Sequence, residues 1–398
     1  MVSPLAWRHA REARRAQARL LAAGPGVVAT WGGTSRGEIS LASDLDVLWW
    51  SPGPVAAPRV VAKSAAYVDV IRCTGDRDRL RDWATSNGTD LAGVLFARRP
   101  RGPAVLVEEF VDVRQRLWDD SRRRALMFVH LVSVACRAPS SQPSLRRAKF
   151  DEGGTRGWAW LGDCCRLLTG SPGTSTLRKL QNAVDDGLVG RDVLDAWRRA
   201  WRRRVAEERG EPGDGIPAAD VAIWRAAVGS LLETAAPWLA ESLDVPRPAL
   251  AAIAESVTSG RSGVIASAAP VSSAHRMLAW MWGEPPTDAE LAAALGAPDA
   301  WWTANAVLAN PESGSDLILA LLDHVSQHGE WWRDRNLILY SLRHSSADAR
   351  VADLVDGLAQ HLRDLDLREL RHLRTRLERG RTPDEGHLPD LRRSPLGR

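Results

Sequence analysis

Lysine is nearly missing from this chain: Lys63, Lys149 and Lys179 are the only three, against fifty arginines. The arginines are spread along the sequence, and with the abundant alanine, glycine and tryptophan they reflect the coding bias of a GC-rich genome. The net charge is only +4 over 398 residues, so composition gives no sign of a nucleic-acid binder. Cysteine is scarce as well. Cys73, Cys136, Cys164 and Cys165 form no CxxC pair, which argues against both a zinc site and a disulfide framework and leaves reduced, mostly buried thiols. No apolar run reaches the roughly 18–20 residues that a membrane span needs. From Trp7 to Leu21 arginine alternates with alanine and no apolar segment follows, so the stretch reads as a surface helix and not a signal peptide. The expected location is the cytoplasm, with no membrane partner.

What is present is an ordinary globular mixture, 44% hydrophobic and 26% charged, long enough for about two or three domains. One segment stands out. Val27 to Trp31 is a short β-branched and apolar run, as expected of a buried strand. Gly32 and Gly33 follow, then a polar turn that can open a short helix, and from Asp44 to Trp50 polar and apolar residues alternate into a second strand. In a strand, Asp44 and Asp46 fall on one face, where two carboxylates can share divalent metals. Phosphoryl transfer needs such metals to bridge a triphosphate and activate the attacking hydroxyl. The glycines let backbone approach phosphate oxygens, and the N–H groups of Thr34 and Ser35 at a helix start can bind them. A Gly-Gly or a DxD alone is common; both together, about ten residues apart and each tied to a strand, are far more specific. Further on, Val68 to Ile71 reads as another strand with a lone carboxylate, Asp69, among apolar residues. A buried unpaired carboxylate is costly unless it meets a metal or a donor. Asp69 is therefore the third candidate metal ligand and the candidate acceptor of the attacking hydroxyl's proton; a capped surface aspartate is the alternative.

The residues Gly32-Gly33, Arg36-Gly37-Glu38 and Ser43-Asp44-Leu45-Asp46 resemble the catalytic motif of the DNA polymerase beta-like nucleotidyltransferases. Within that superfamily the pattern is most similar to the bacterial PII-protein uridylyltransferase branch, GGxxRGExxxxSDxDxL, at every fixed position. Tyr67 to Asp76 is similar to the family's LLDARLLAGD stretch: Asp69, Gly75 and Asp76 fall in register, while the family's arginine is Ile71 here, with Arg72 one place later. Lys149 to Gly157 resembles a worn KEGPGGLRD segment. Gly153, Gly154 and Arg156 match, whereas Thr155 and Gly157 depart; this stretch is either a phosphate-binding turn with Lys149 and Arg156 or a plain turn opening a helix at Trp158. The resemblance spans roughly residues 20–170. It implies Mg²⁺ or Mn²⁺ held by Asp44, Asp46 and Asp69, and a nucleoside triphosphate bound at Gly32, Gly33, Thr34, Ser35, Arg36 and Ser43. Arg36 and Glu38 are expected to brace the loop through a local ion pair. The family's hydrolase domain carries a His-Asp dipeptide, and none occurs here. Glutamine sensing and deuridylylation are therefore not carried over, and neither is the choice between ATP and UTP.

Past Asp76 the sequence turns helical, with three- and four-residue apolar spacing over Arg77–Trp83, Arg114–Arg137, Trp158–Leu168, Val193–Glu208 and Ala218–Leu243. Proline and glycine clusters at 99–103, 139–143, 170–173 and 210–217 separate these runs. From about residue 250 a faint repeat appears, in which Trp301-Trp302 recurs as Trp331-Trp332. Paired helices at this period suggest HEAT-like repeats; an irregular bundle is the rival. With 18 tryptophans and six other aromatics, tryptophan reads as the default large core residue rather than a stacking surface. His324, His328, His344, His361 and His372 share no metal-ligand spacing, and the tail beyond Arg374 reads as disordered. The expected architecture is an α/β (α+β) nucleotidyltransferase core with a small mixed sheet at 1–112, followed by a large all-α region: a helical domain at 113–247, helical repeats at 248–375 and a tail at 376–398. The expected activity is transfer of a nucleoside monophosphate to a hydroxyl on a protein or small molecule. Two alternatives are a degenerate transferase fold that recruits a protein partner through its helical half, and action on an RNA end, which the weak charge disfavours.

Overall fold

The computed structural model describes residues 4–38, 45–53, 68–86, 88–136, 147–170, 173, 175–209, 211, 215–259, 272–283, 285–296, 300–310, 313–328 and 350. It divides into two compact units, Met1–Ser313 and Gly314–Arg398.

Helix α1 (Pro4–Ala23) opens the first unit. Ala13, Ala16, Gln17 and Leu20 are buried while Arg11, Arg14, Arg15 and Arg19 are exposed, the three- and four-residue stripe of a helix that covers a core. The helix is thus more than the surface element its arginines suggest. Its apolar stripe joins one face of the sheet formed by β1 (Val27–Thr30), then, after the short helix α2 (Gly32–Arg36), by β2 (Leu45–Ser51) and β3 (Val68–Thr74). Ala13 and Leu20 cluster with Val28, Leu45, Val47 and Trp49. The period of two then sets Asp46, Leu48 and Trp50 on the opposite face. There Trp50 is fully buried and donates its indole N–H to the Gly75 carbonyl at 2.9 Å.

Helices α3 (Arg77–Ser86) and α4 (Gly88–Leu95) lead to β4 (Arg98–Arg101). The strand order is β3-β2-β1-β4, with β2 and β3 parallel and the other pairs antiparallel. The expected small mixed sheet is therefore present. Strand β4 corrects the reading of 99–103 as a mere helix separator. Pro100 cannot donate to a ladder, yet it is accommodated because, among the described residues, β4 pairs only with β1 and ends the order; Arg99 takes φ +51 where the register shifts. The turn after it needs glycine: a Cβ at Gly102, whose φ is +153, would stand 2.2 Å from the Gly26 carbonyl oxygen.

The remaining elements are helical. The single helix expected over Arg114–Arg137 is two, α5 (Ala104–Asp119) and α6 (Ser121–Cys136). Asp120 breaks them with extended backbone, and its carboxylate accepts the Arg123 amide at 3.0 Å, capping the second helix. Then come α7 (Arg147–Phe150), α8 (Thr155–Thr169), α9 (Thr176–Asp185), α10 (Asp192–Glu208), α11 (Ala218–Leu243) and α12 (Arg247–Ser259). Helix α8 packs between α6 and α9, and α11 packs against α6 and α12. Trp158 and Trp224 are fully buried in this layer. Last in the unit are α13 (Ser273–Trp282), α14 (Asp288–Leu295), with a Thr287–Glu290 capping box, and α15 (Ala300–Ala309). Trp301 and Trp302 are buried and meet the His130 ring edge-on at 5.6 and 5.8 Å, so this tryptophan pair belongs to the core. The second unit contributes α16 (Ser315–His328); Trp331-Trp332, His344, His361, His372 and the tail lie outside the described residues. Burial pushes the Cys73 and Cys165 thiols up to about 12, and all four cysteines are free. No described helix is long and apolar enough to cross a membrane.

Because Leu20 is fully buried against the sheet, Leu20→Ala should cost about 2–5 kcal/mol in urea unfolding. A cost under about 0.5 kcal/mol, the usual size of a surface change, would place α1 outside the core.

Candidate active site

The loop between β1 and β2 is clasped onto a single residue. The Trp31 amide donates to the Asp46 carbonyl at 3.3 Å, the Asp46 amide donates to Thr34 Oγ1 at 2.8 Å, and the Thr34 amide reaches Asp46 Oδ2 at 3.4 Å. Both backbone groups of Asp46 and its carboxylate are thus turned to the loop at the mouth of β2. Gly32 makes this approach possible. Its φ is +54, and a Cβ there would lie 2.4 Å from Asp46 Oδ2, closer than any carbon can come without displacing the carboxylate. Gly37, at φ +71, ends α2 in left-handed backbone, and the Glu38 amide closes back on the Gly33 carbonyl at 3.1 Å.

The parallel ladder sets the second carboxylate position. Asp46 and Asp69 are direct Cα partners in β2 and β3, so the two positions share one pleat of the sheet. Of Asp69 only the backbone is described, and Ser43 and Asp44 lie outside the described residues. Among the described residues no group of three or more His, Cys, Asp or Glu is placed to hold a metal. The two carboxylate positions that the register sets abreast offer hard oxygen donors of the type Mg²⁺ and Mn²⁺ take. Gly32 leaves the room that the Asp46 carboxylate occupies.

The expected nucleotide-binding residues divide. Gly32 and Gly33 are in the loop wall. The Thr34 amide turns to Asp46, while the Ser35 amide donates to the Trp31 carbonyl at 2.9 Å and its hydroxyl to the Gly32 carbonyl at 2.9 Å. These groups build the loop internally. Arg36 is drawn away from the loop mouth: its Nε meets Glu38 Oε2 at 2.8 Å and its Nη1 lies 3.7 Å from Asp163 Oδ2. Burial alone would lower the Arg36 guanidinium, but Glu38 and Asp163, with a smaller contribution from Asp46, outweigh it and hold it above its ordinary value. The ion pair between Arg36 and Glu38 is present as the sequence suggests. What sequence reasoning missed is its continuation into the helices. Glu38 accepts from the backbone amide and the hydroxyl of Thr176, the latter at 2.9 Å, and Asp163 pairs with Lys179. Burial pushes the Lys179 ammonium below its usual range, opposed by Asp163. One signal was available: Lys179 is one of three lysines in a chain with fifty arginines.

Arg98 also reaches this layer. It donates to the Gly173 carbonyl, and burial with neighbouring Arg166 lowers its guanidinium. The Lys149–Gly157 stretch lies elsewhere, running from the end of α7 through a turn into the start of α8. Gly154 caps that helix, Trp158 donates to the Gly153 carbonyl at 2.9 Å, and Glu152 is held by Arg225 at 2.5 and 2.6 Å. A rise of about 1.5 Å per residue puts the Gly154 turn more than ten ångströms along the helix from Asp163. Arg156 lies over the Trp160 ring at 4.5 Å.

No protein-family model, curated protein or solved structure matches the chain.

Gly32→Ala must strain left-handed backbone and push the Asp46 carboxylate aside, and it should cost about 1–3 kcal/mol in denaturant unfolding. Gly33→Ala, whose Cβ would stand 3.3 Å from the Glu38 carbonyl, should cost clearly less. Equal costs would mean that Asp46 does not constrain the loop.

Proposed function

We propose that the chain is a metal-dependent nucleotidyltransferase that moves a nucleoside monophosphate from a nucleoside triphosphate to a hydroxyl on a protein or small molecule. One observation carries the reading: the parallel register sets Asp46 and Asp69 abreast, next to a loop that only glycine can form. The motif resemblance supplies the reaction class and adds Asp44 and Ser43. Asp44, Asp46 and Asp69 would hold Mg²⁺ or Mn²⁺. When bound, such ions neutralise the triphosphate and lower the pKa of the attacking hydroxyl.

The chain's own residues have three tasks. Asp46 keeps its carboxylate fixed at the start of β2, because its backbone is tied to the loop on both sides. Gly32 makes room for that carboxylate, and the two glycines leave the loop without side chains of its own where phosphate oxygens would approach. Asp69 takes the proton of the acceptor hydroxyl as its oxygen bonds to the α-phosphorus, and the bond from that phosphorus to the β-phosphate oxygen breaks to release pyrophosphate. Such a site acts by positioning and electrostatics and needs no covalent intermediate. A helical half arranged as HEAT-like pairs, holding the acceptor in the cytoplasm, completes the proposal.

The test is to incubate the full chain with each α-labelled nucleoside triphosphate, Mg²⁺ and a size-fractionated lysate. Wild type should transfer label from at least one nucleotide, and Asp46→Asn should lose about a hundredfold or more, as removal of a metal-holding carboxylate does. No transfer from any of the four, or equal transfer by the variant, would sink the proposal and favour the partner-recruiting alternative. Label in the large fraction would identify a protein acceptor, and label in the small fraction a metabolite.

A further inference from the structure

Four charged side chains behind the loop close into a ring. Glu38 is paired with Arg36 at 2.8 Å, Arg36 lies 3.7 Å from Asp163, and Asp163 is paired with Lys179. The return path runs along α9, because Lys179 sits one turn after Thr176 and Thr176 gives both its amide and its hydroxyl to Glu38. The ring carries two positive and two negative charges. Its side chains are 16% exposed at most and 3% at Lys179, so its charges act at low effective dielectric and every member depends on its partners. The contact from Glu38 to Thr176 spans 138 residues, joining the loop to helices well outside the sheet.

The consequence for the loop follows from backbone contacts. The Glu38 amide closes on Gly33 at 3.1 Å, and Gly32 abuts the Asp46 carboxylate. Whatever holds Glu38 therefore holds the glycines and, through them, the clasp on Asp46. We propose that Glu38, with Thr176, Arg36, Asp163 and Lys179, is a positioning device through which α8 and α9 set the Gly32–Gly33 loop in its nucleotide-binding shape. Its ligand rests on the nucleotidyltransferase reading; the mechanical coupling does not. The backbone around Lys179 is fitted to its side chain. A Cβ on Gly173 would lie 2.5 Å from Lys179 Cγ, and one on Gly162 would lie 3.4 Å from Lys179 Cβ. The two glycines make room for the methylene stem that carries the buried ammonium to Asp163.

Two isosteric changes isolate the coupling. Thr176→Val removes the hydroxyl donor and keeps the shape; Glu38→Gln removes the charge and keeps an oxygen acceptor. Thr176→Ser restores the hydroxyl. Amide hydrogen exchange of the full chain, read by mass spectrometry on peptides covering 30–38 with α11 as internal control, should show exchange about tenfold or more faster at 30–38 in the first two variants. Thr176→Ser should stay within about twofold of wild type, and α11 should be unchanged in all three, the pattern of local rather than global opening. In the transfer assay, KM for the nucleotide should rise about tenfold, and kcat should fall by clearly less than the roughly hundredfold loss expected of Asp46→Asn, since the loop and its clasp are loosened while the metal-holding carboxylates are kept. Should one variant fail to fold, seen as lost protection in α11, the other decides. Unchanged exchange at 30–38 in a folded variant overturns the coupling. Faster exchange in a chain that transfers no label upholds the coupling and removes only the transferase reading.

Discussion

The structure around the candidate site depends on how tightly residue 46 is held. Three hydrogen bonds join the loop to that one residue, through its amide, its carbonyl and its carboxylate. Because they involve backbone on both sides, Asp46 cannot turn without unmaking the end of β1 or the start of β2. The parallel pairing with β3 then sets the backbone of position 69 beside it. A carboxylate confined this way has little left to lose in entropy on meeting a ligand, which is how preorganisation raises affinity and rate.

Behind that clasp the molecule uses two materials. One is a tryptophan-rich apolar core, with Trp49 and Trp50 on opposite faces of the sheet and Trp158 and Trp224 in the helical layer, all fully buried. The other is buried charge. Asp220, held by Arg199 and Arg203 at 2.6–2.7 Å, repeats at the α10–α11 contact what Glu38 and Asp163 do at the loop, and Glu152, gripped by Arg225, ties the turn before α8 to α11. Such pairs add modest net stability for their desolvation cost, but they strongly penalise the wrong docking of two elements. Apolar packing holds the layers together, and paired charge selects their register.

Much of the local structure was legible because it rests on short-range patterns. Strands β1, β2 and β3 sit where β-branched and apolar runs place them, and α10 and α11 match their apolar spacing within a residue or two. What escaped has physical causes. Strand β4 is arginine and proline, a composition that says nothing of strand until a neighbouring edge is there to pair with it. The break at Asp120 hides inside an uninterrupted helical pattern, since a cap of one aspartate leaves the periodicity on both sides intact. Helix α9 is short, and its Lys179 is buried against a partner sixteen residues away that no periodic pattern indicates. Of the candidate site, the glycines, Asp46 and the ion pair of Arg36 with Glu38 could be read from spacing. The link from Glu38 to Thr176 could not, because tertiary pairing over such a distance leaves no local trace.

The last strand of the sheet has a consequence outside the site. An open sheet invites its own kind: an unpaired strand edge can recruit another chain, and crowded or partly unfolded protein then grows into fibres. In this molecule β4 answers that hazard chemically. Arg99 and Arg101 are exposed, Pro100 withholds a donor, and the shifted register at Arg99 bends the ribbon away from a flat template. Any incoming strand would have to strip water from guanidinium groups and still find a gap in its ladder. The same four residues that obscured a strand in the sequence thus act as the sheet's gatekeeper against self-assembly.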